Sequence, residues 1–147
     1  MATVDESGIN EFKQVFPQLV SDLSPAALKK LLDSCALTEF RPGRNIMRDR
    51  MPSDAIYFVL EGEARVFIEN DNQSIKLGNI KPGQILGEIS ILSRKLVSSA
   101  SVEAATPMRT LKLRHQPLED LLVAEDTGPA LLNVLTEVLA ARLRTPH

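Results

Sequence analysis

Between Ala36 and Arg114 the apolar residues recur with a period of two, and turn signals cut the stretch at short intervals. That pattern gives strands with one face in and one face out, too short and too often interrupted to be anything but a folded-up sheet. Pro42-Gly43 and Pro82-Gly83 both suit a type II turn, because proline presets φ at one position and glycine accepts positive φ at the next. Asn70-Asp71-Asn72 suits a hairpin tip, and the β-rich runs Ala55 to Leu60 and Ala64 to Ile68 flank Glu61-Gly62. Regularly spaced short strands with turns between them imply a closed or sandwiched antiparallel β-structure. Within it, the strand from Met108 to Arg114 should point Leu111 and Leu113 inward and Lys112 outward.

Outside this stretch the period lengthens. Phe12, Val15, Phe16 and Leu19 fall at i, i+3, i+4 and i+7, a helical stripe interrupted by Pro17. Ser24 and Pro25 read as an N-cap and first helical residue, with Leu28, Leu31, Leu32 and Cys35 on one apolar face. After the strands, Pro117 opens a short helix carrying Leu118, Leu121 and Leu122, and Gly128-Pro129 opens a last one running to about Arg144. At about 100° per residue, Leu131, Leu132, Val134, Leu135, Val138, Leu139, Ala141 and Leu143 cover an arc of roughly 200°. A helix serving a single core needs a stripe of only a little over about 100°. The excess either meets a partner or sinks the helix between the barrel and the N-terminal helices.

Composition narrows the functions open to such a chain. Its 147 residues, 44% hydrophobic, suit one globular domain with its own core. A formal charge of −2 gives no bulk attraction to nucleic acid or anionic membrane, and 4% aromatics suits single-strand base stacking poorly. No apolar run reaches the roughly 18 residues of a membrane span. Met1 to Asn10 are polar and acidic, unlike a signal peptide, and the lone Cys35 cannot form an internal disulfide; a reduced, cytoplasmic setting is expected. Catalysis is not expected either. The two histidines, His115 and His147, fall short of the cluster a metal-dependent β-barrel enzyme requires, and no P-loop or nucleophile elbow is present. Cys35, on an apolar helical face, reads as core.

The stretch from Gly87 to Val102 carries the chemistry. A glycine and a carboxylate open a short helix, and a small-residue strand follows about ten positions later. Backbone N–H groups at a helix start can meet an anion, Gly87 lets the backbone approach closely, and Glu88 can accept from a sugar hydroxyl. This is the layout of a pocket for a phosphorylated ribose.

The segment resembles the phosphate-binding cassette of the cyclic-nucleotide-binding domain family, which runs Gly-Glu-Leu-Ala/Gly-Leu, a short loop, Arg-Ser/Ala-Ala and a strand. Gly87, Glu88, Ile89, Ser90 and Ile91 match its opening; Ser99, Ala100 and Val102 match its strand. The alignment puts Ser98 where that family keeps its phosphate-binding arginine. The resemblance extends through Phe40 with Gly43, the run Ile56 to Gly62, and Pro82-Gly83, from about Leu23 to Arg144. It implies an α+β fold: a jelly-roll-like antiparallel β-roll of about eight strands, flanked by N-terminal helices and by C-terminal helices that lid the pocket or dimerise. Residues 1–22 then form a polar segment and helix, and residues 23–147 a single domain without the helix-turn-helix of the family's transcription factors.

By the same resemblance, the candidate ligand residues are Gly87, Glu88, Ile89, Ser90, Ser98 and Ser99, and the ligand is cAMP, cGMP or a related small molecule. A serine hydroxyl cannot replace the charge of an arginine fork. Hydrogen bonds to charged groups contribute roughly 1.5–3 kcal/mol each, so losing one or two costs about tenfold to a thousandfold in affinity. Arg94 and Lys95, in the loop before the strand, are the candidate substitute cations; otherwise they are solvated loop charges. Arg41, Arg44, Arg48 and Arg50 read as a solvated turn and strand edge, the alternative being a surface for an acidic partner or polyanion. The partner-facing residues of the last helix are Leu131, Leu135, Val138, Leu139 and Arg142. Two functions follow: a stand-alone regulatory module whose altered cassette binds cyclic nucleotide weakly, another ligand or none, or a constitutive interaction module, a homodimer or docking protein, working through that helix.

Overall fold

A computed structural model describes residues 3–48, 50–87 and 100–144. Three helices, α1 (Glu6–Val15), α2 (Pro17–Asp22) and α3 (Pro25–Asp33), lead into the strands. Asp5 caps α1 by accepting from the Gly8 N–H, and Ser24 caps α3 by accepting from the Ala27 N–H. Phe16 joins α1 to α2, which opens on Pro17 because the first helical position needs no N–H.

The strands are β1 (Ala36–Phe40), β2 (Asn45–Met47), β3 (Ala55–Glu61), β4 (Ala64–Asn70), β5 (Gln73–Ile80), β6 (Ile85–Leu86), β7 (Ser101–Ala104) and β8 (Met108–Arg114). They form two antiparallel four-stranded sheets ordered β1-β8-β3-β6 and β2-β7-β4-β5. With helices at both ends, this is the antiparallel β-roll of the α+β class that the sequence implied. Gly43 and Gly83 take the positive φ a type II turn needs. The β4–β5 loop is Asp71-Asn72 alone, both at positive φ, because Asn70 already pairs with Gln73.

Helices α4 (His115–Val123) and α5 (Gly128–Arg144) close the chain. The first begins at His115, two residues before Pro117, since proline is tolerated anywhere in a first turn whose N–H groups lack intrahelical acceptors.

Two apolar clusters lie on opposite faces of the β1-β8-β3-β6 sheet. On the helical side, Ile56, Phe58, Leu60, Leu111 and Leu113 pack with Phe12, Phe16, Leu19, Leu31, Leu118, Leu131 and Leu135. Phe58 meets Phe12 and Phe16 edge-on, at ring centroid distances of 5.6 and 5.4 Å. Between the sheets lies a second cluster of Ala55, Tyr57, Val59, Ala64, Ile80, Leu86, Val102, Ala104 and Met108. Strand β8 is therefore lined on both sides. Met108 and Thr110 are buried on the face that also carries Lys112, so this face looks into the roll and not, as the alternation suggested, out to solvent.

Arg109, on the helical face of β8, ties α1 to the roll. Its Nε donates to Glu11 at 2.9 Å, and Glu61 and Glu39, its cross-strand neighbours, lie at 3.7 and 3.9 Å. The hydrogen bond to Glu11 holds the guanidinium more firmly charged.

Candidate functional site

The site begins where β6 ends. Tyr57 pairs with Leu86 and Phe58 with Ile85, which presses Gly87 against the start of β3. Gly87 has φ +88°, and a Cβ there would sit 2.5 Å from the Ala55 carbonyl oxygen. Only glycine fits such a left-handed residue in backbone contact. The first residue of the cassette is thus fixed against the wall of the roll by β3.

Of the ligand residues read from the sequence, Gly87 is the one within the described structure. Glu88, Ile89, Ser90, Ser98, Ser99 and the loop cations Arg94 and Lys95 lie outside the described residues. On the far side of that gap β7 opens at Ser101. Val102 and Ala104 face the roll interior, while Ser101 and Glu103 lie on the opposite face beside Phe67 and Arg65 of β4, Ser101 and Phe67 both buried there. Glu103 is ion-paired with Arg65 at 3.2 Å.

The cluster between the sheets mixes small and large side chains, Leu86, Ile80 and Met108 among the latter. Ala55, Ala64 and Ala104 contribute three methyl groups to the inner cluster, where the helical side places leucines and phenylalanines. Tyr57 stands among them with its ring edge-on to Phe40, centroids 5.9 Å apart. Burial pushes the Tyr57 phenol up, Asp54 adds to that shift and Arg114 opposes it. Lys112 lies over the Tyr57 ring, its ammonium 5.9 Å from the centroid. Tyr57, Lys112 and Arg114 carried no signal in the sequence, because alternation separates two faces of a strand without saying which one is wet.

The last helix divides between two environments. Leu131 and Leu135, assigned above to a partner surface, are 0% and 1% exposed in the protomer's own helical cluster. Physically this follows from α5 lying across α2 and α4, so that its most central leucines complete the core. Val134 and Val138 are partly buried against the same cluster, and Leu132 is 55% exposed. The side chains of Leu139 and Arg142 lie outside the described residues. Cys35 is buried, and burial pushes its thiol up to about 12, as befits a core residue. Among the described residues no group of three metal-ligating side chains occurs, and no helix is long and apolar enough to cross a membrane.

Comparison with known proteins addresses the same segment. A cAMP-dependent protein kinase regulatory subunit of Emericella nidulans is 33% identical over 104 residues, covering 71% of this chain and 24% of that protein. The chain thus spans about a quarter of the length of the curated relatives it matches. Among solved structures, a cyclic nucleotide-binding domain from Methylobacillus flagellatus superposes with a TM-score of 0.81 at 23% identity, covering 92% of this chain and 80% of that one. The regulatory subunit of a cAMP-independent protein kinase A from Trypanosoma brucei, as a triple mutant bound to cAMP, superposes with a TM-score of 0.70 at 24% identity, covering 96% and 50%. These likenesses carry the fold. The family model named cyclic nucleotide-binding domain matches residues 37–125, which takes in the roll from β1 through α4 and the glycine-led turn after β6. With that match over more than half its length, the chain belongs to the cyclic nucleotide-binding domain family.

Proposed function

We propose that this domain is a non-catalytic regulatory module that takes a small anionic ligand, a cyclic nucleotide or a close relative, between its two sheets. The observation that carries the reading is the Gly87 turn: a left-handed glycine in contact with the Ala55 carbonyl, beside the inter-sheet cluster that holds Ala55, Ala64 and Ala104. Glu88 is then the acceptor for a ribose hydroxyl, and the N–H groups that follow meet the phosphate. Ser98, aligned with the family's arginine, leaves the phosphate without its usual fork, so cyclic nucleotide binds weakly or a different ligand is preferred. The Trypanosoma brucei protein offers a parallel: the cAMP-bound form carries three substitutions, one of them threonine to arginine.

Thermal unfolding with millimolar cAMP or cGMP tests this directly, beside Ser98→Arg. At a hundred times the dissociation constant a ligand adds about 2.7 kcal/mol, several degrees for a domain of this size. A shift in the native protein means another group has replaced the arginine. A shift in Ser98→Arg alone means a pocket lacking only its anchor. No shift in either removes cyclic nucleotides as ligands.

A second reading rests on α5. Leu132 of α5 is 55% exposed and Val123, at the end of α4, 83%, and they offer apolar surface for a homodimer or another protein. In that reading the helix docks whether or not a ligand is present. A charge introduced by Leu132→Asp then abolishes association in light scattering at any ligand concentration; a monomer mass that does not change with concentration removes the homodimer.

A further inference from the structure

We propose that Lys112 is the cation that meets the anionic group of a ligand in the roll. The inference rests on the ligand-binding reading above and names a residue for it. Lys112 of β8 pairs with Tyr57 of β3, and Tyr57 pairs with Leu86 of β6, the residue before Gly87. The three form one row across the sheet, spanning two strand spacings or about 10 Å. Tyr57 and Leu86 both belong to the cluster between the sheets, so the row lines the interior.

Within that row the lysine leans the right way. Its ammonium lies over the Tyr57 ring, which stands between it and Leu86. At 5.9 Å this contact is near the outer limit of cation–π attraction, and an anion seated against Gly87 would readily draw the ammonium from it. Lys112 is half-buried and has no carboxylate partner among the described residues, where the ion pairs engage Lys29, Lys30, Arg65, Arg109 and His115. A half-buried ammonium without a counter-charge favours an incoming anion.

The neighbouring charges set the kind of anion. Arg114 follows Lys112 on the same face of β8, and Asp54 and Arg114 both act on the Tyr57 phenol. Lys112, with the solvent-exposed Arg114 and Asp54 beyond it, leaves one net positive charge at this end of the row, apart from Glu88 at the ribose. A cyclic phosphodiester, with one negative charge, matches it; a phosphomonoester such as 5′-AMP, with two, is left partly uncompensated.

Calorimetric titration with cAMP, beside 5′-AMP, tests the assignment in the native protein, Lys112→Met and Lys112→Arg, and in each again on a Ser98→Arg background. Lys112→Met should weaken cAMP binding about tenfold, Lys112→Arg should restore most of it, and unliganded melting should barely move. The loss should shrink at high salt, which a packing role for the lysine stem would not produce. If Lys112→Met binds like its parent in whichever background binds, Lys112 is not the cation, and the nucleotide reading stands. If nothing binds even with Ser98→Arg in place, the nucleotide reading falls and this assignment with it.

Discussion

One sheet presents two unlike faces. Toward the helices, Phe58, Ile56, Leu111 and Leu113 are sealed under Phe12, Phe16, Leu31 and Leu135, with charge admitted at one edge as the Arg109 cluster. Toward the second sheet, the same strands offer Ala55, Tyr57 and Val59 with Lys112 beside them, against a wall of Val102, Ala64 and Ala104. The first face is filled with large side chains that touch one another, the arrangement that stores stability. The second mixes alanines and valines with Ile80, Leu86 and Met108, and has an aromatic hydroxyl and an ammonium beside them. A strand buried on both sides thus divides by residue parity: Met108 and Thr110 toward the second sheet, Leu111 and Leu113 toward the helices.

Substitutions should separate the two faces, and the largest effect belongs to the helical one. Phe58→Ala empties the centre of an aromatic triad and should cost about 3–5 kcal/mol, lowering the melting temperature by on the order of 10 °C. A comparable loss from Tyr57→Ala, with no change in ligand response, would erase the distinction between the faces.

Next in size is Gly87→Ala. It forces a Cβ onto the Ala55 carbonyl at a positive φ, at an expected cost of about 1–3 kcal/mol in denaturant titration. Unlike Phe58→Ala, it should also weaken any nucleotide response of the Ser98→Arg protein, because it moves the wall on which the ligand rests.

Glu11→Gln sharpens the boundary further. It removes the charge that pairs α1 with Arg109, a partly exposed contact, and should cost about 1 kcal/mol, less at high salt, without touching ligand response.

The smallest effect is at Cys35. Burial raises its thiol pKa above the unfolded value of 9.0 to about 12, so the neutral thiol is favoured in the folded state. Its contribution to stability is complete below pH 9 and is lost as pH rises through that window toward 12. At pH 8 the native thiol should react with a disulfide reagent only on the unfolding timescale; immediate labelling would place Cys35 outside the helical core.

Much of this was legible in the sequence where a local rule dictated the backbone. Pro42-Gly43, Pro82-Gly83 and the Ser24-Pro25 helix start have stereochemical demands that hold wherever they occur, and each stands where those demands placed it. Gly87 was legible as a glycine that a close backbone approach requires, but the approach the structure places there is to the Ala55 carbonyl, where the sequence pointed to an anion. Lys112 was not, because its surroundings are made by β3 and β6, which are distant in sequence and join it only through pairing. Leu131 and Leu135 were grouped with Val138 as a partner face since the width of an apolar arc does not reveal which part meets the protomer's own core. Arg109 was hidden likewise: its partner Glu11 lies almost the whole domain away along the chain.

The central proposal is that a ligand sits against the inter-sheet face, short of one phosphate anchor. Backbone amide NMR of the Ser98→Arg protein titrated with cAMP tests it most directly. The prediction is saturable shifts at Tyr57, Leu86, Gly87, Val102 and Lys112, with Phe12, Leu19 and Leu31 unmoved. Shifts confined to the helical cluster, or none at millimolar cAMP, would contradict it.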